Sequence, residues 1–256
     1  MPRRFFRQRG LGDLGPIAIG LSALLISWQP TRGDDWPQWL GPKRDGVWRE
    51  TGILEKFPKA GPKVLWRTSI GGGYSGPAVA GNRVFITDRM LAADAKNPAS
   101  GFSKNQIPGK ERVLCLDDAD GKIMWEHSYD CTYDVQYPSG PRTTPVVGEG
   151  KVYTLGTMGD LLCLDVADGK VIWSKNLVNE YKAPVQVWGF SAHPLLDGDR
   201  LICLVGGEGS LVVAFHKDTG KELWKSLSVS RAGYCPPMIF EAGGKRQLII
   251  WHPQAL

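Results

Sequence analysis

Three stretches of this sequence align without a gap, and their spacing restricts the fold more than any other feature. They are Cys115-Leu-Asp-Asp-Ala-Asp-Gly-Lys-Ile-Met-Trp125, Cys163-Leu-Asp-Val-Ala-Asp-Gly-Lys-Val-Ile-Trp173 and Ala214-Phe-His-Lys-Asp-Thr-Gly-Lys-Glu-Leu-Trp224, with tryptophans 48 and 51 residues apart. A shorter copy, Pro62-Lys-Val-Leu-Trp66, ends 59 residues before the first. In each full copy an apolar strand runs into a polar turn. An Asp or Thr side chain closes the turn on its own backbone, and Gly supplies the positive φ. The strand that follows carries the Trp. Two further strands precede each hairpin, at 76–87, 144–156 and 193–204. Four strands in a period of about 50 residues make a propeller blade, and the Pro and Gly spacing excludes helical solenoids. The predicted fold is all-β, a β-propeller of four-stranded antiparallel blades.

Counting strands gives blades at about 73–129, 142–175 and 191–226, the first stretched by an insertion near 89–112. Two more strands follow, at 237–241 and 246–251, and the Trp66 segment is expected to be a lone outer strand. About three full blades plus partial ones make an incomplete propeller. Because an open ring exposes strand edges and one apolar blade face, the sequence is expected to be an N-terminal fragment rather than a small closed ring.

The repeat resembles the tryptophan docking motif of pyrroloquinoline-quinone (PQQ) type propellers, Ala-x-Asp-x-x-Thr-Gly-x-x-x-Trp. The resemblance implies that Trp125, Trp173 and Trp224 wedge between neighbouring blades, with Gly121, Gly169 and Gly220 in the turns. Departures are Cys115 and Cys163 at the Ala position, Asp120 and Asp168 at the Thr position, and His216 at the Asp position. The opening Asp35-Trp-Pro-Gln-Trp-Leu-Gly-Pro-Lys-Arg-Asp-Gly46 also resembles the start of exported proteins of this kind. The likeness covers about 34–256. It extends to the propeller of outer-membrane barrel assembly and to quinoprotein alcohol dehydrogenases.

Ahead of the repeats, Arg3, Arg4, Arg7 and Arg9 precede an apolar stretch from about Leu14 to Trp28 that is broken by Gly15, Pro16 and Gly20. Such a stretch is a poor membrane span and a reasonable export signal. The domains expected are a signal peptide at 1–33, a leader at 34–61 and a partial propeller at 62–256, in a periplasmic or extracellular protein. A general secretory signal fits better than a twin-arginine one. Removing 1–33 leaves 26 basic and 25 acidic residues, which gives no electrostatic case for nucleic acid. No transmembrane span is expected after signal removal.

Residues just before each innermost strand face the mouth of the central funnel, where propellers build their sites. The candidates are Tyr74 and Ser75, then Arg142, Thr143 and Thr144, then Ser191 and His193, then Tyr234 and Cys235, with Trp188 and Phe190 on the loop before blade three. Arg142 and His193 can pair with an anionic ligand or a quinone, or merely cap turns. Quinoprotein dehydrogenases imply adjacent cysteines beside PQQ and a Glu, Asn and Asp set on calcium. The five cysteines here include no adjacent pair, and the four histidines show no metal spacing. Cys115, Cys163 and Cys203 read as core, and Cys131 and Cys235 as loop residues that can bridge. No catalytic residue, metal or cofactor is expected. The leading expectation is an exported, non-catalytic module binding a protein or small molecule at the funnel. The rival is a PQQ- and calcium-dependent alcohol or polyol dehydrogenase, and a detached sensor domain is a third reading.

Overall fold

Alternating apolar and turn residues fold into fourteen strands in the computed structural model, which describes residues 33–254. Residues 1–32 of the expected signal peptide lie outside that range. Blade one is the sheet β1 (Ala78–Ala80), β2 (Arg83–Leu91), β3 (Gly109–Asp117) and β4 (Ile123–Asp130). Blade two is β5 (Val146–Gly148), β6 (Lys151–Leu155), β7 (Asp160–Asp165) and β8 (Val171–Asn176). A five-residue helix, α1 (Leu177–Tyr181), leads on to blade three. That blade is β9 (Leu195–Asp197), β10 (Arg200–Leu204), β11 (Val212–His216) and β12 (Glu222–Ser226). The strands β13 (Met238–Ala242) and β14 (Lys245–Ile249) form a two-stranded fourth sheet. Every pairing is antiparallel between sequence neighbours.

The sheets fan with their first strands together, β1 against β5 and β5 against β9. Their faces bury apolar side chains between blades. Phe85, Val113 and Cys115 of blade one meet Val152 and Leu164 of blade two. Tyr153, Leu161 and Cys163 of blade two meet Leu201, Cys203 and Phe215 of blade three. Cys115, Cys163 and Cys203 are core residues, and burial raises each thiol pKa, that of Cys163 to about 12. All five cysteines are free, so Cys131 and Cys235 make no bridge.

The repeat tryptophans occupy one register position, Trp125 opposite Cys115, Trp173 opposite Cys163 and Trp224 opposite Ala214, each beside a bulge. Trp125 lies on Gly169 of the next blade and donates its Nε1–H to the Val166 carbonyl at 2.9 Å. Trp173 repeats this with Gly220 and the Lys217 carbonyl at 2.7 Å, and Trp66 with Gly121 and the Asp118 carbonyl at 2.8 Å. Only glycine fits beneath the ring. A Cβ at Gly169 or Gly220 would fall 2.5 or 2.8 Å from the indole, and both residues have positive φ.

Two elements depart from expectation. Trp66 reaches its place from extended chain outside any strand. The insertion is shorter than its polar composition suggests, because Asp88–Leu91 and Gly109–Arg112 continue the β2–β3 ladder and only 92–108 loops out. Charges inside that ladder satisfy one another. Arg112 grips Asp88 with Nε and Nη2, at 2.8 and 2.5 Å, and the Arg89 guanidinium donates to the Pro138 and Ile107 carbonyls.

Candidate functional site

The loops entering the inner strands converge, and glycines set how closely. Gly72 exchanges hydrogen bonds with Arg89, and Tyr74 N–H donates to the Pro141 carbonyl at 2.7 Å. Gly140 packs on the Gly72 backbone so tightly that a Cβ there would meet its carbonyl oxygen. The entry loop of blade one is thereby seated on that of blade two, and Tyr74 lies beside Arg142, whose guanidinium carbon stands 5.3 Å from the ring centre. From the far side, Trp188 stacks on Tyr234 with centroids 5.0 Å apart. The Tyr74 and Tyr234 hydroxyls both bear electrostatically on Arg142. Tyr74, Arg142, Trp188 and Tyr234 form one cluster, with Ser191 at its edge donating to the Trp188 carbonyl at 3.2 Å.

Arg142 is half-buried and its N–H groups are engaged. Nη1 donates to the Gly140 carbonyl and Thr157 Oγ1, and Nη2 to the Gln136 and Tyr137 carbonyls. Burial lowers its pKa, and no carboxylate pairs with it among the described residues. Beneath it runs a buried polar chain. Thr157 Oγ1 meets Tyr133 Oη at 2.7 Å, and Tyr133 and Tyr129 both donate to the Glu111 carboxylate, which also accepts the Thr157 N–H at 3.0 Å. Arg89 covers the Tyr133 ring at 3.8 Å. Burial first, and the Glu111 charge second, push both tyrosine pKa values well above the ordinary range.

Thr143 and His193 do not join the cluster. The Thr143 hydroxyl turns into its own blade and donates to the Leu155 carbonyl at 2.6 Å. His193 accepts the Thr144 N–H on Nδ1 at 2.8 Å and stacks on Trp39 with centroids 4.8 Å apart. Burial, aided by the Arg44 charge, pulls its pKa down to about 4, so its ring is neutral at pH 7.

Trp39 and Arg44 belong to the leader, which lies across the inner strands of all four sheets. Trp36 pairs with Val79, the Pro37 carbonyl accepts the Val147 N–H, and Arg44 reaches the Pro194 and Pro237 carbonyls at 2.8 and 3.3 Å. Nothing in the repeat pattern assigns this role. The signal is the pairing of Trp36, Trp39 and Arg44 in a segment outside the repeats. Glu111 and Tyr133 were missed for a different reason: the polar stretch around them reads as a loop.

These residues were tested as a seat for PQQ and a cation. The Arg142 and His193 atoms that would meet an anion are already bonded to the protein, and no three His, Cys, Asp or Glu side chains converge among the described residues. The described residues do not fit that group by themselves. No helix among the described residues is long and apolar enough to cross a membrane.

A family model described as outer membrane protein assembly factor BamB matches residues 109–239. Among solved structures, quinohemoprotein alcohol dehydrogenase from Comamonas testosteroni aligns over 76% of this chain and 27% of its own, at 22% identity and a TM-score of 0.49. BamB from Moraxella catarrhalis aligns over 64% of this chain and 40% of its own, at 18% identity and a TM-score of 0.39. The computationally designed Ika4 protein aligns over 74% and 98%, at 12% identity and a TM-score of 0.41. This chain spans about a quarter of the length of the dehydrogenase. No curated protein matches it.

Proposed function

Because the chain belongs to the PQQ-repeat propeller family whose model is described as outer membrane protein assembly factor BamB, we propose that it is an exported, non-catalytic propeller that binds a protein ligand at its entry end. The observation that carries this reading is what that end leaves available. Tyr74 is 50% and Trp188 45% exposed, Tyr234 stacks against Trp188, and the Arg142 charge lies beside them. Aromatic faces around a cation suit a polypeptide surface, since large rings supply contact area at small entropic cost and anchor interfaces. The groups suited to acid–base work, Arg142 and His193, are spent on backbone atoms. Periplasmic location and passage through the secretory route belong to the same proposal, supported by the basic-then-apolar start.

The test uses the full-length protein in cells that export it. A photo-crosslinking residue at Tyr74 or Trp188 is expected to capture a discrete protein partner, and one at exposed Lys122 is not. In parallel, the purified protein given PQQ and calcium is expected to show no dye-linked oxidation of alcohols or polyols. Saturable oxidation would overturn the binding reading in favour of a dehydrogenase.

A further inference from the structure

The open edge of the fourth sheet carries a second recognition site, independent of the entry end. Three tryptophans, Trp66, Trp125 and Trp173, each meet a turn glycine and a turn carbonyl from the neighbouring blade. Trp224 sits in the same register, yet its Nε1–H has no acceptor among the described residues and no glycine lies on its ring. It borders a cavity of about 230 Å³ with Arg200, Ile202, Ile239, Arg246 and Leu248. Trp224 is held on one side only, packed with Ile239 and Leu248 against the blade-three core.

A second residue repeats the pattern. The first residue of the second strand in each blade is a cation, Arg83, Lys151 or Arg200, set opposite Asp117, Asp165 or His216. Arg83 donates to the Val166 carbonyl in the next blade's turn, and Lys151 pairs with Asp218 in the turn after that at 2.9 Å. Arg200 is 53% exposed, and its one ion pair is a 3.7 Å contact with Asp197 three residues away. The strand that would carry the matching turn is absent beside it, because β14 has β13 as its single neighbour. The Arg246–Asp197 pair meanwhile fixes β14 to blade three, so the free edge is held in place.

We propose that this edge is an acceptor for a β-hairpin of the chain's own repeat type, one with an Asp-x-x-Asp/Thr-Gly turn. Its first strand pairs with β14, and its turn glycine lies on Trp224. A turn carbonyl accepts the Trp224 Nε1–H, and a turn carbonyl or carboxylate meets Arg200. Backbone pairing supplies affinity, and the three turn contacts supply selectivity. The interface continues one already formed between blades one and two and between blades two and three.

The experiment appends a second copy of Asp160–Asn176 to the full chain through a flexible Gly-Ser linker. The melting temperature and the assigned Trp224 indole N–H resonance are followed with and without the copy. The expected result is a rise of about 5 °C, with slowed exchange of the Trp224 indole proton. The gain should vanish when the copy's turn glycine becomes Val or when the acceptor carries Trp224→Phe, and should shrink with Arg200→Ala. Each variant is compared with its own unfused form, so a loss of intrinsic stability does not mimic the effect. An unchanged melting temperature and indole resonance would overturn the proposal, as would a gain that survives both the Gly→Val copy and Trp224→Phe. A concentration-dependent dimer already protecting Trp224 in the unfused chain would overturn it in favour of a second copy.

Discussion

Gly169 and Trp125 show how a single atom decides the spacing of two blades. The indole rests where a Cβ would otherwise stand, and Gly169 holds a φ of +72° that costs other residues strain. Gly169→Ala is expected to destabilise the protein by about 1–3 kcal/mol in urea unfolding, combining backbone strain with a forced shift of the ring. Trp125→Ala, which empties the wedge, is expected to cost about 3–5 kcal/mol. Equal stability of Gly169→Ala and the parent would show that the contact is slack. His193 gives a pH prediction. Its folded pKa lies near 4 against an ordinary 6.5, so below pH 6.5 the unfolded chain takes up a proton that the fold refuses. Its contribution to stability is therefore intact above that pH and lost as pH falls through the window toward 4. His193→Asn keeps an acceptor for the Thr144 N–H and removes the titration. Its melting temperature should fall a few degrees less than the parent's between about pH 7 and 4.5. Parallel curves would show that the ring is not held neutral.

The long β2–β3 hairpin shows what an element can hide from its sequence. Four strands per blade were legible because apolar pairs alternate with polar turns, and β6, β7, β10 and β11 lie where that alternation places them. The tips of β2 and β3 were not legible. Asp88, Arg89, Lys110, Glu111 and Arg112 suggest solvent, and only the fold reveals that Asp88, Arg89 and Glu111 are buried with partners. Periodicity reports whether a side chain is apolar, and burial of a charge depends on partners distant in sequence. The same limit applies to the entry cluster. Alignment brought Tyr74, Arg142 and Tyr234 to one end, but could not foresee that Thr143 and His193 turn away. Glu111→Gln leaves two tyrosine hydroxyls and an N–H sharing a weaker acceptor. It is expected to cost about 1–3 kcal/mol by urea unfolding and to speed amide exchange at Thr157. Unchanged protection at Thr157 would argue that the chain beneath Arg142 does not act as a unit.

Across the whole molecule, the leader is a thread through otherwise local architecture. Blade pairings join neighbours in sequence, whereas Arg44 bonds Pro237 across 193 residues and Pro194 across 150. Its guanidinium is buried deeply enough to lower its pKa to about 10, so it stays charged and needs those carbonyls. Arg44→Ala is expected to loosen blade three and the fourth sheet together. Hydrogen exchange should accelerate at β9 and β13 while β3 and β7 keep their protection. Uniform acceleration would instead mean that the leader supports every sheet equally.

That geometry also sets an order of events. Residues 34–44 leave the ribosome before any blade exists, yet their last contact cannot form until Pro237 has been made and placed. The earliest segment of the chain is thus the last to find its seat, and its loop closure is among the most distant in the molecule, which slows folding. A nascent chain halted after blade two would hold Arg44 without its carbonyls. The buried cation serves as a molecular check that synthesis has reached the fourth sheet.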